Sequence, residues 1–211
     1  MNLDALLSQH GLWIGVLLGY LLGSVPFGLL IARAKGIDIR AHGSGNIGAT
    51  NVLRVLGKPL GITTFILDAL KGFLPAFAFP LVFGNNPELV GIASGIAAIL
   101  GHNFPVFLRF KGGKGVATSA GMLIGIAPAA AGIGLALWLV IFLAFRYVSL
   151  ASILAALAIA GIAWLWYPPG LIPPVLSLLA SLVIIRHRAN IQRLLNGTEN
   201  RFERKPKAQP S

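Results

Sequence analysis

The chain has 211 residues, of which 56% are hydrophobic and only 11% are charged, and it contains no cysteine. A soluble domain of this length cannot bury so much apolar surface, so the composition excludes a soluble globular protein. Disulfides, thiolate metal ligands and cysteine nucleophiles are excluded as well. The net charge of +11 is explained by membrane topology and contact with anionic lipid, and no nucleic-acid partner is expected.

Long apolar stretches predict an all-α, polytopic membrane bundle that forms one domain over residues 1–200. We predict seven transmembrane helices, at 12–32, 60–83, 89–107, 116–126, 129–145, 148–166 and 171–187. The remaining segment, 201–211, is basic, polar and contains proline, which predicts a disordered cytoplasmic tail.

The distribution of Lys and Arg predicts the topology. Apart from Lys71, which lies inside a predicted span, the basic residues fall in four groups, at 33–58, 109–114, 146 and 186–207. The other connections between spans, around 84–88, 125–129 and 167–174, contain no Lys or Arg. By the positive-inside rule the four basic groups are cytoplasmic, which places the N-terminus outside and the C-terminus in the cytoplasm.

The stretch 116–145 decides the number of spans. As one helix it would be roughly 45 Å long, which exceeds a hydrocarbon core of about 30 Å. Pro128 offers a turn that would divide it into two helices. A five-span arrangement that merges 116–145 and also merges 148–187 is the alternative.

The first polar segment, 43–54, places small hydrogen-bonding side chains between glycines. Such residues also favour solvated turns and helix caps. Their density here favours a site for an anion or an acyl group. The candidates are Gly43, Ser44, Gly45, Asn46, Thr50, Asn51 and Arg54.

Two ionisable residues, Asp68 and Lys71, lie three positions apart inside the second predicted span. Charged groups within a membrane are costly and commonly functional. Two interpretations have equal weight: an internal ion pair in which Asp68 is structural, or a Lys71 that faces a bound anion.

The second polar segment, Lys111 to Gly115, predicts an anion site. Its glycines allow the backbone to approach a ligand closely. A helix that begins near Val116 would direct its positive end at the same place. The candidates are Lys111, Gly112, Gly113, Lys114 and Gly115, and the spacing is not that of a P-loop. His102 either packs at a helix end or joins this site.

The third polar segment follows the last span. His187 and Asn190 are three residues apart and would share one helix face. We predict functional roles for these two residues and for Arg186, whereas Arg188 and Arg193 are typical of a basic belt on anionic lipid. Ser149 is either a helix N-cap or a phosphate ligand.

Taken together, these segments resemble the bacterial membrane glycerol-3-phosphate acyltransferases that use acyl phosphate. The resemblance covers nearly the whole chain and is specific because five short motifs occur in order. The motifs are Gly23–Gly28, Gly43–Arg54, Gly101-His102 with Phe110–Thr118, Arg146–Ser149 and Arg186–Glu199. No His is followed five positions later by Asp, so the His-x4-Asp motif of other acyltransferases is absent.

The resemblance implies transfer of a fatty acyl group from acyl phosphate to the 1-hydroxyl of sn-glycerol 3-phosphate. This reaction is the first step of phospholipid synthesis. The resemblance also implies a multi-pass protein of the bacterial inner membrane whose active site faces the cytoplasm. Carried over by position, Ser44 and Arg54 belong to the first essential motif, and the glycines around Lys111 and Lys114 match the glycerol-phosphate loop. His187 and Asn190 match the third motif, and Glu199 is its structural acid.

The expected chemistry relies on positioning and on positive charge. The acyl phosphate donor is already activated, and cations must hold two anionic substrates and stabilise the carbonyl oxyanion. We assign this electrostatic role to Lys111, Lys114, Arg54, Arg186 and His187. The side chains expected to position the substrates by hydrogen bonds are Ser44, Thr50, Asn51, Ser149 and Asn190.

The proton of the acceptor hydroxyl has three possible destinations: His187, His102 or the donor phosphate, which we favour. A covalent Ser44 intermediate is disfavoured because no motif places a base beside it. We expect no cofactor and no metal, since acidic ligands are few and scattered. An organic-phosphate transporter is the alternative function, but its site would lie near mid-membrane, whereas these polar residues occupy one face.

Overall fold

A computed structural model describes residues 3–83 and 86–202, and every regular element in these ranges is helical. The chain divides into two compact units, one up to Gly132 and the other from Ile133. The predicted all-helical fold is therefore confirmed for the described residues. The expectation of one domain over 1–200 stays a prediction.

Besides two short 3₁₀ helices, Ile39–Ala41 and Val106–Leu108, the described part of the first unit contains seven α-helices and the start of an eighth. They are α1 Leu3–Gly23, α2 Phe27–Arg33, α3 Ala49–Leu56, α4 Lys58–Phe77, α5 Pro80–Phe83, α6 Pro87–Asn103, α7 Val116–Ile126 and α8 Pro128–Phe145. The second unit contains the rest of α8, then α9 Val148–Trp166, α10 Ile172–Arg186 and α11 Arg188–Leu195.

Glycines at four-residue spacing let α1 and α6 pack backbone against backbone. A Cβ atom built on Gly19 would lie 2.5 Å from the carbonyl oxygen of Ser94, and one on Gly23 would overlap the carbonyl of Ala98. No side chain larger than hydrogen fits at these positions. Small residues at this spacing are typical of close helix pairs in membranes.

The same device fixes α7 against α4. A Cβ atom on Gly72 would overlap the carbonyl oxygen of Thr118, and one on Gly121 would overlap that of Ala69. The start of α7 is thereby held against the middle of α4. Since α7 follows the Lys111–Gly115 segment directly, this packing also sets the position of that loop.

Polar bridges between apolar helices hold the second unit together. The indole nitrogen of Trp138 donates to the hydroxyl of Ser152 at 3.0 Å. Trp164 makes the same bond, also 3.0 Å, to Ser177. The axes of α10 and α11 differ in direction by 60°, and the bend falls at His187, which ends one helix and precedes the next.

Five described segments are long and apolar enough to cross a membrane, and α10 with α11 would add a sixth if the bent pair counts as one span. The five are Gln9–Arg33, Lys58–Phe83, Pro87–Leu108, Pro128–Phe145 and Val148–Trp166. The remaining apolar helix, α7, is shorter. The chain is interrupted at Ala127, between α7 and α8, so 116–145 is two helices, as Pro128 predicts.

Within the predicted tail, the described residues Arg201 and Phe202 have defined contacts. The backbone N–H of Phe202 donates to the carbonyl oxygen of Arg146 at 3.0 Å, and its ring packs edge-on against Phe142. The Nε of Arg201 lies 3.2 Å from the carbonyl oxygen of Phe145. The rest of the predicted disordered tail, 203–211, lies outside the described residues.

Candidate active site

Asn51 organises the first polar segment. Its side chain is 1% exposed, and its Nδ2 donates to the carbonyl oxygens of Ile39, His42 and Asn46 at 3.2, 3.0 and 2.9 Å. Its Oδ1 accepts the backbone N–H of Ser44 at 2.9 Å. These contacts engage both ends of the amide, so Asn51 holds the loop in shape, and direct contact with a substrate stays a prediction.

The remaining residues of this segment lie on the framework that Asn51 holds. Gly43 and Gly45 have positive φ angles of 60° and 69°, which glycine adopts without strain. Ser44 is exposed between them. The Oδ1 of Asn46 accepts the N–H of Gly48 at 2.8 Å, and α3 follows, with Thr50 in its first turn and the half-buried Arg54 in its last.

Lys71 forms the internal ion pair that the sequence allows. Its Nζ lies 2.9 Å from Oδ1 of Asp68, and the two side chains are 1% and 3% exposed. The same nitrogen donates to the carbonyl oxygen of Val25 at 2.8 Å and lies 5.6 Å from the centre of the Phe27 ring. This geometry is that of the ion pair, and a substrate-binding role for Lys71 stays a prediction.

The break between α1 and α2 explains the Val25 contact. Pro26 has no N–H to donate and interrupts the helical hydrogen bonds, and the carbonyl of Val25 lies in the break. In an apolar surrounding a carbonyl without a strong donor is costly. The backbone N–H of Phe27 donates to this oxygen at 3.2 Å, and the ammonium group of Lys71 adds a shorter, charged hydrogen bond from α4, so the buried cation stabilises the broken helix.

The Lys111–Gly115 loop lies against the end of α6. The N–H of Gly113 donates to the carbonyl oxygen of His102 at 3.0 Å, and a Cβ on Gly112 would overlap that same oxygen. Lys111 is exposed and Lys114 is half-buried. The structure therefore places His102 both in the last turn of α6 and against the glycine loop, and a substrate-binding role for His102 stays a prediction.

The backbone around this loop adopts conformations that non-glycine residues rarely take. Arg109 and Phe110 have φ angles of 52° and 63°, and Gly115 has a φ of 78° directly before α7. Left-handed non-glycine residues each cost of order 1 kcal/mol and concentrate at functional sites. Two in succession support a functional interpretation of the loop.

In the second unit, the carboxylate of Glu199 accepts hydrogen bonds from three side chains. Its Oε1 accepts the hydroxyl of Ser149 at 2.8 Å and the amide of Asn190 at 2.7 Å. Its Oε2 accepts Nε of Arg193 at 2.8 Å. This set of contacts, which we call the Glu199 cluster, ties the start of α9 to α11 and fits the structural role that the resemblance implies.

Hydrogen bonding keeps Glu199 ionised. Burial raises the pKa of the Glu199 carboxyl, but the hydrogen bonds from Asn190, Ser149 and Arg193, together with the charge of Arg193, outweigh burial. The resulting pKa lies below the ordinary value for Glu. Arg193 thus binds a carboxylate within the protein, although the sequence favours a lipid-facing belt for it.

His187 lies at the bend between α10 and α11 and is 3% exposed. Its Nδ1 is 2.8 Å from the carbonyl oxygen of Val183. A carbonyl only accepts, so Nδ1 carries the hydrogen, and in the neutral ring the lone pair is on Nε2. The half-buried Arg186 ends α10 one residue earlier.

Sequence reasoning assigned no role to two buried polar residues near these sites. Asn103 and Thr118 are both fully buried, and a Cβ on Gly115 would lie 2.9 Å from Oδ1 of Asn103. The signal was present, because Asn103 follows His102 directly and Thr118 follows the glycine loop. Within 3–83 and 86–202 no group of three or more His, Asp or Glu is arranged to hold a metal ion.

The fold and these clusters define an integral membrane protein of several apolar helices, with polar networks that shape its connecting segments. Residues 13–197 match the family model described as glycerol-3-phosphate acyltransferase. The chain belongs to the glycerol-3-phosphate acyltransferase family.

Individual relatives agree with this assignment. A glycerol-3-phosphate acyltransferase from Geotalea daltonii is 52% identical over 185 residues, which are 88% of this chain and 94% of that protein. Two crystal structures of PlsY (YgiH), an integral membrane glycerol 3-phosphate acyltransferase, are 46% identical to this chain and cover 91% of it. The glycerol 3-phosphate form has a TM-score of 0.85 and covers 96% of that chain, and the lysophosphatidic acid form has a TM-score of 0.83 and covers 95%.

Proposed function

We propose that this protein transfers a fatty acyl group from acyl phosphate to the 1-hydroxyl of sn-glycerol 3-phosphate. The observation that carries the proposal is the 46% identity to PlsY, which has been crystallised in a glycerol 3-phosphate form and a lysophosphatidic acid form. Lysophosphatidic acid is glycerol 3-phosphate with one added acyl group. The two ligands therefore correspond to the acceptor and the product of the proposed reaction.

In the proposed step, the 1-hydroxyl oxygen of glycerol 3-phosphate attacks the carbonyl carbon of acyl phosphate. The bond from that carbon to the phosphate oxygen breaks, and inorganic phosphate leaves. The hydroxyl proton passes to the donor phosphate, so no protein base is required. Preorganised cations and hydrogen-bond donors would stabilise the negative charge that develops on the carbonyl oxygen.

The glycine loop is the proposed binding site for the glycerol phosphate. Three features support it: the loop carries Lys111 and Lys114, it directly precedes the N-terminus of α7, and two consecutive strained residues, Arg109 and Phe110, come immediately before it. A helix N-terminus with bare N–H groups favours a phosphate. Arg54 and Arg186 are proposed to add positive charge, and Ser44, Thr50, Ser149 and Asn190 to add hydrogen bonds.

The donor is proposed to be acyl phosphate because the chain lacks a His-x4-Asp pair and resembles the acyl-phosphate-dependent family. Acyl-CoA carries a bulky nucleotide, for which the sequence offers no recognisable motif. Seven spans, an outside N-terminus, a cytoplasmic active site and a bacterial inner-membrane location complete the proposal. An organic-phosphate transporter is the alternative that transport assays in vesicles would reveal.

The seven-span topology predicts a pattern of labelling in this cysteine-free chain. Single cysteines at the exposed positions Asn86, Ala129 and Pro169 are expected to react with a membrane-impermeant thiol reagent added outside. Cysteines at the exposed positions Lys58, Phe110 and Asn196 are expected to react only after permeabilisation. Ala129 decides between the two arrangements, and its protection in intact cells would contradict seven spans.

A further inference from the structure

A row of buried ionisable side chains lies beside the glycine loop. Lys71 and Asp68, both on α4, form an ion pair. Oδ1 of Asp68 also lies 3.6 Å from Nδ1 of His102 on α6. All three side chains are at most 4% exposed. Buried charges are stable only with close partners, so Asp68 is fixed between a cation on its own helix and the imidazole of the neighbouring helix.

The imidazole of His102 meets the loop at Gly113. A Cβ atom on Gly113 would overlap Nε2 of the ring, with Cε1 and Cδ2 also within 3.0 Å. The loop is also bonded to the backbone of the same residue through the N–H of Gly113. The ring therefore faces Asp68 with Nδ1 and the loop with the opposite edge, and a change in ring position would move the loop.

Gly112 makes a different contact and serves as a comparison. A Cβ atom there would overlap the carbonyl oxygen of His102 and Cδ of Pro105. Those atoms remain when the imidazole is replaced. Alanine substitution at Gly113 therefore tests a contact with the His102 ring, whereas substitution at Gly112 tests a contact with the His102 backbone and Pro105.

The geometry points to a positioning function for Asp68 and His102: together they hold the Lys111–Gly115 loop in the conformation that binds the phosphate of glycerol 3-phosphate. This inference rests on the proposed function of the loop. Asp68 sets the orientation of the imidazole, the imidazole sets the path of the backbone at Gly113, and Lys71 neutralises Asp68. None of the three needs to contact a reacting atom.

His102→Asn is the variant that tests this inference most sharply. Asparagine places an amide nitrogen near the position of the histidine Nδ1, so a polar group still faces Asp68, while the edge of the ring that faces Gly113 is removed. Gly113→Ala alone is expected to raise the KM for glycerol 3-phosphate about tenfold or more, because small displacements of a binding group have large kinetic costs. Turnover is expected to fall less than KM rises, as when ground-state binding is lost.

Each glycine variant is then combined with His102→Asn, and the two double variants are expected to behave differently. In the His102→Asn, Gly113→Ala double variant the new methyl group occupies the space that the ring vacates, so KM is expected to be lower than in Gly113→Ala alone. In the matched His102→Asn, Gly112→Ala double variant no space is gained, and the two effects are expected to multiply. Non-additivity of this kind is the mark of residues in direct contact.

Thermal unfolding of the purified protein in detergent gives a second readout. Gly113→Ala and Gly112→Ala are both expected to lower the melting temperature. Adding His102→Asn is expected to restore the melting temperature of Gly113→Ala but not that of Gly112→Ala. Multiplicative effects at both glycines would overturn the inference, and so would a His102→Asn variant with lowered turnover and unchanged KM. If the wild-type protein showed no acyl transfer, the proposed function would fail, while the recovery of the melting temperature would still report the contact between positions 102 and 113.

Discussion

Glu199→Ala is expected to abolish most of the acyltransferase activity and to loosen the C-terminal segment. The change removes the acceptor for Ser149, Asn190 and Arg193 at once. Ser149 and Asn190 are buried, and a buried donor left without an acceptor costs about 1–3 kcal/mol. Limited proteolysis of the C-terminal segment, alongside turnover, would measure both effects.

Glu199→Gln is the matched control, since its amide oxygen still accepts from Ser149 and Asn190 but its NH2 group faces Arg193. The pKa of Glu199 is lowered in the folded protein, so its stabilising contribution is present above the unfolded value of about 4.3 and is lost as pH falls through the folded value. In the wild type, protease protection should therefore decline only at acidic pH. An equal decline in Glu199→Gln would show that another group titrates.

His187→Gln is expected to raise the KM for glycerol 3-phosphate by about ten- to a hundredfold, since hydrogen bonds to charged groups contribute about 1.5–3 kcal/mol. The Nδ1 donation to Val183 fixes the orientation of the ring, and only the protonated ring has a second N–H, on Nε2, to donate to the phosphate of glycerol 3-phosphate. We expect a positioning role, with the donor phosphate as proton acceptor. The acid limb of the pH profile should then persist, because it is set by the substrates' phosphates.

A general base at position 187 gives a different signature. Turnover in His187→Gln would then fall by roughly two to four orders of magnitude, with little change in KM and with the acid limb removed. Steady-state kinetics across pH, with melting temperature as a check on folding, separate the two cases. The second signature would contradict the positioning role.

The helical architecture followed from the sequence because apolar runs and glycine spacing act locally. Pro128 predicted the interruption before α8, and the four-residue spacing of Gly15, Gly19 and Gly23 is a local feature typical of close helix pairs in membranes. The same reasoning missed the interruption at Pro26, since the apolar pattern continues through it. The ammonium group that makes this break tolerable comes from Lys71, which is distant in sequence.

The site residues were harder to assign because their roles depend on side-chain contacts within irregular loops, which no helix or strand periodicity predicts. Asn51 is a residue type that commonly binds ligands, but in the folded loop its amide forms hydrogen bonds with four backbone groups. The sequence around Arg193 is typical of a lipid-facing basic belt, yet its guanidinium group donates to the carboxylate of Glu199, six residues later. His102 and Gly113 meet only because α7 packs on α4 and brings the loop back to the end of α6.

The most direct test of this account is an assay of the purified protein with acyl phosphate and labelled glycerol 3-phosphate, with no metal added. We expect a labelled lipid that carries one acyl group, release of one phosphate per acyl transferred, and little product when acyl-CoA replaces acyl phosphate. Comparable turnover with both donors would contradict the donor assignment. Movement of labelled glycerol 3-phosphate into sealed vesicles without acylation would contradict the assignment as an enzyme.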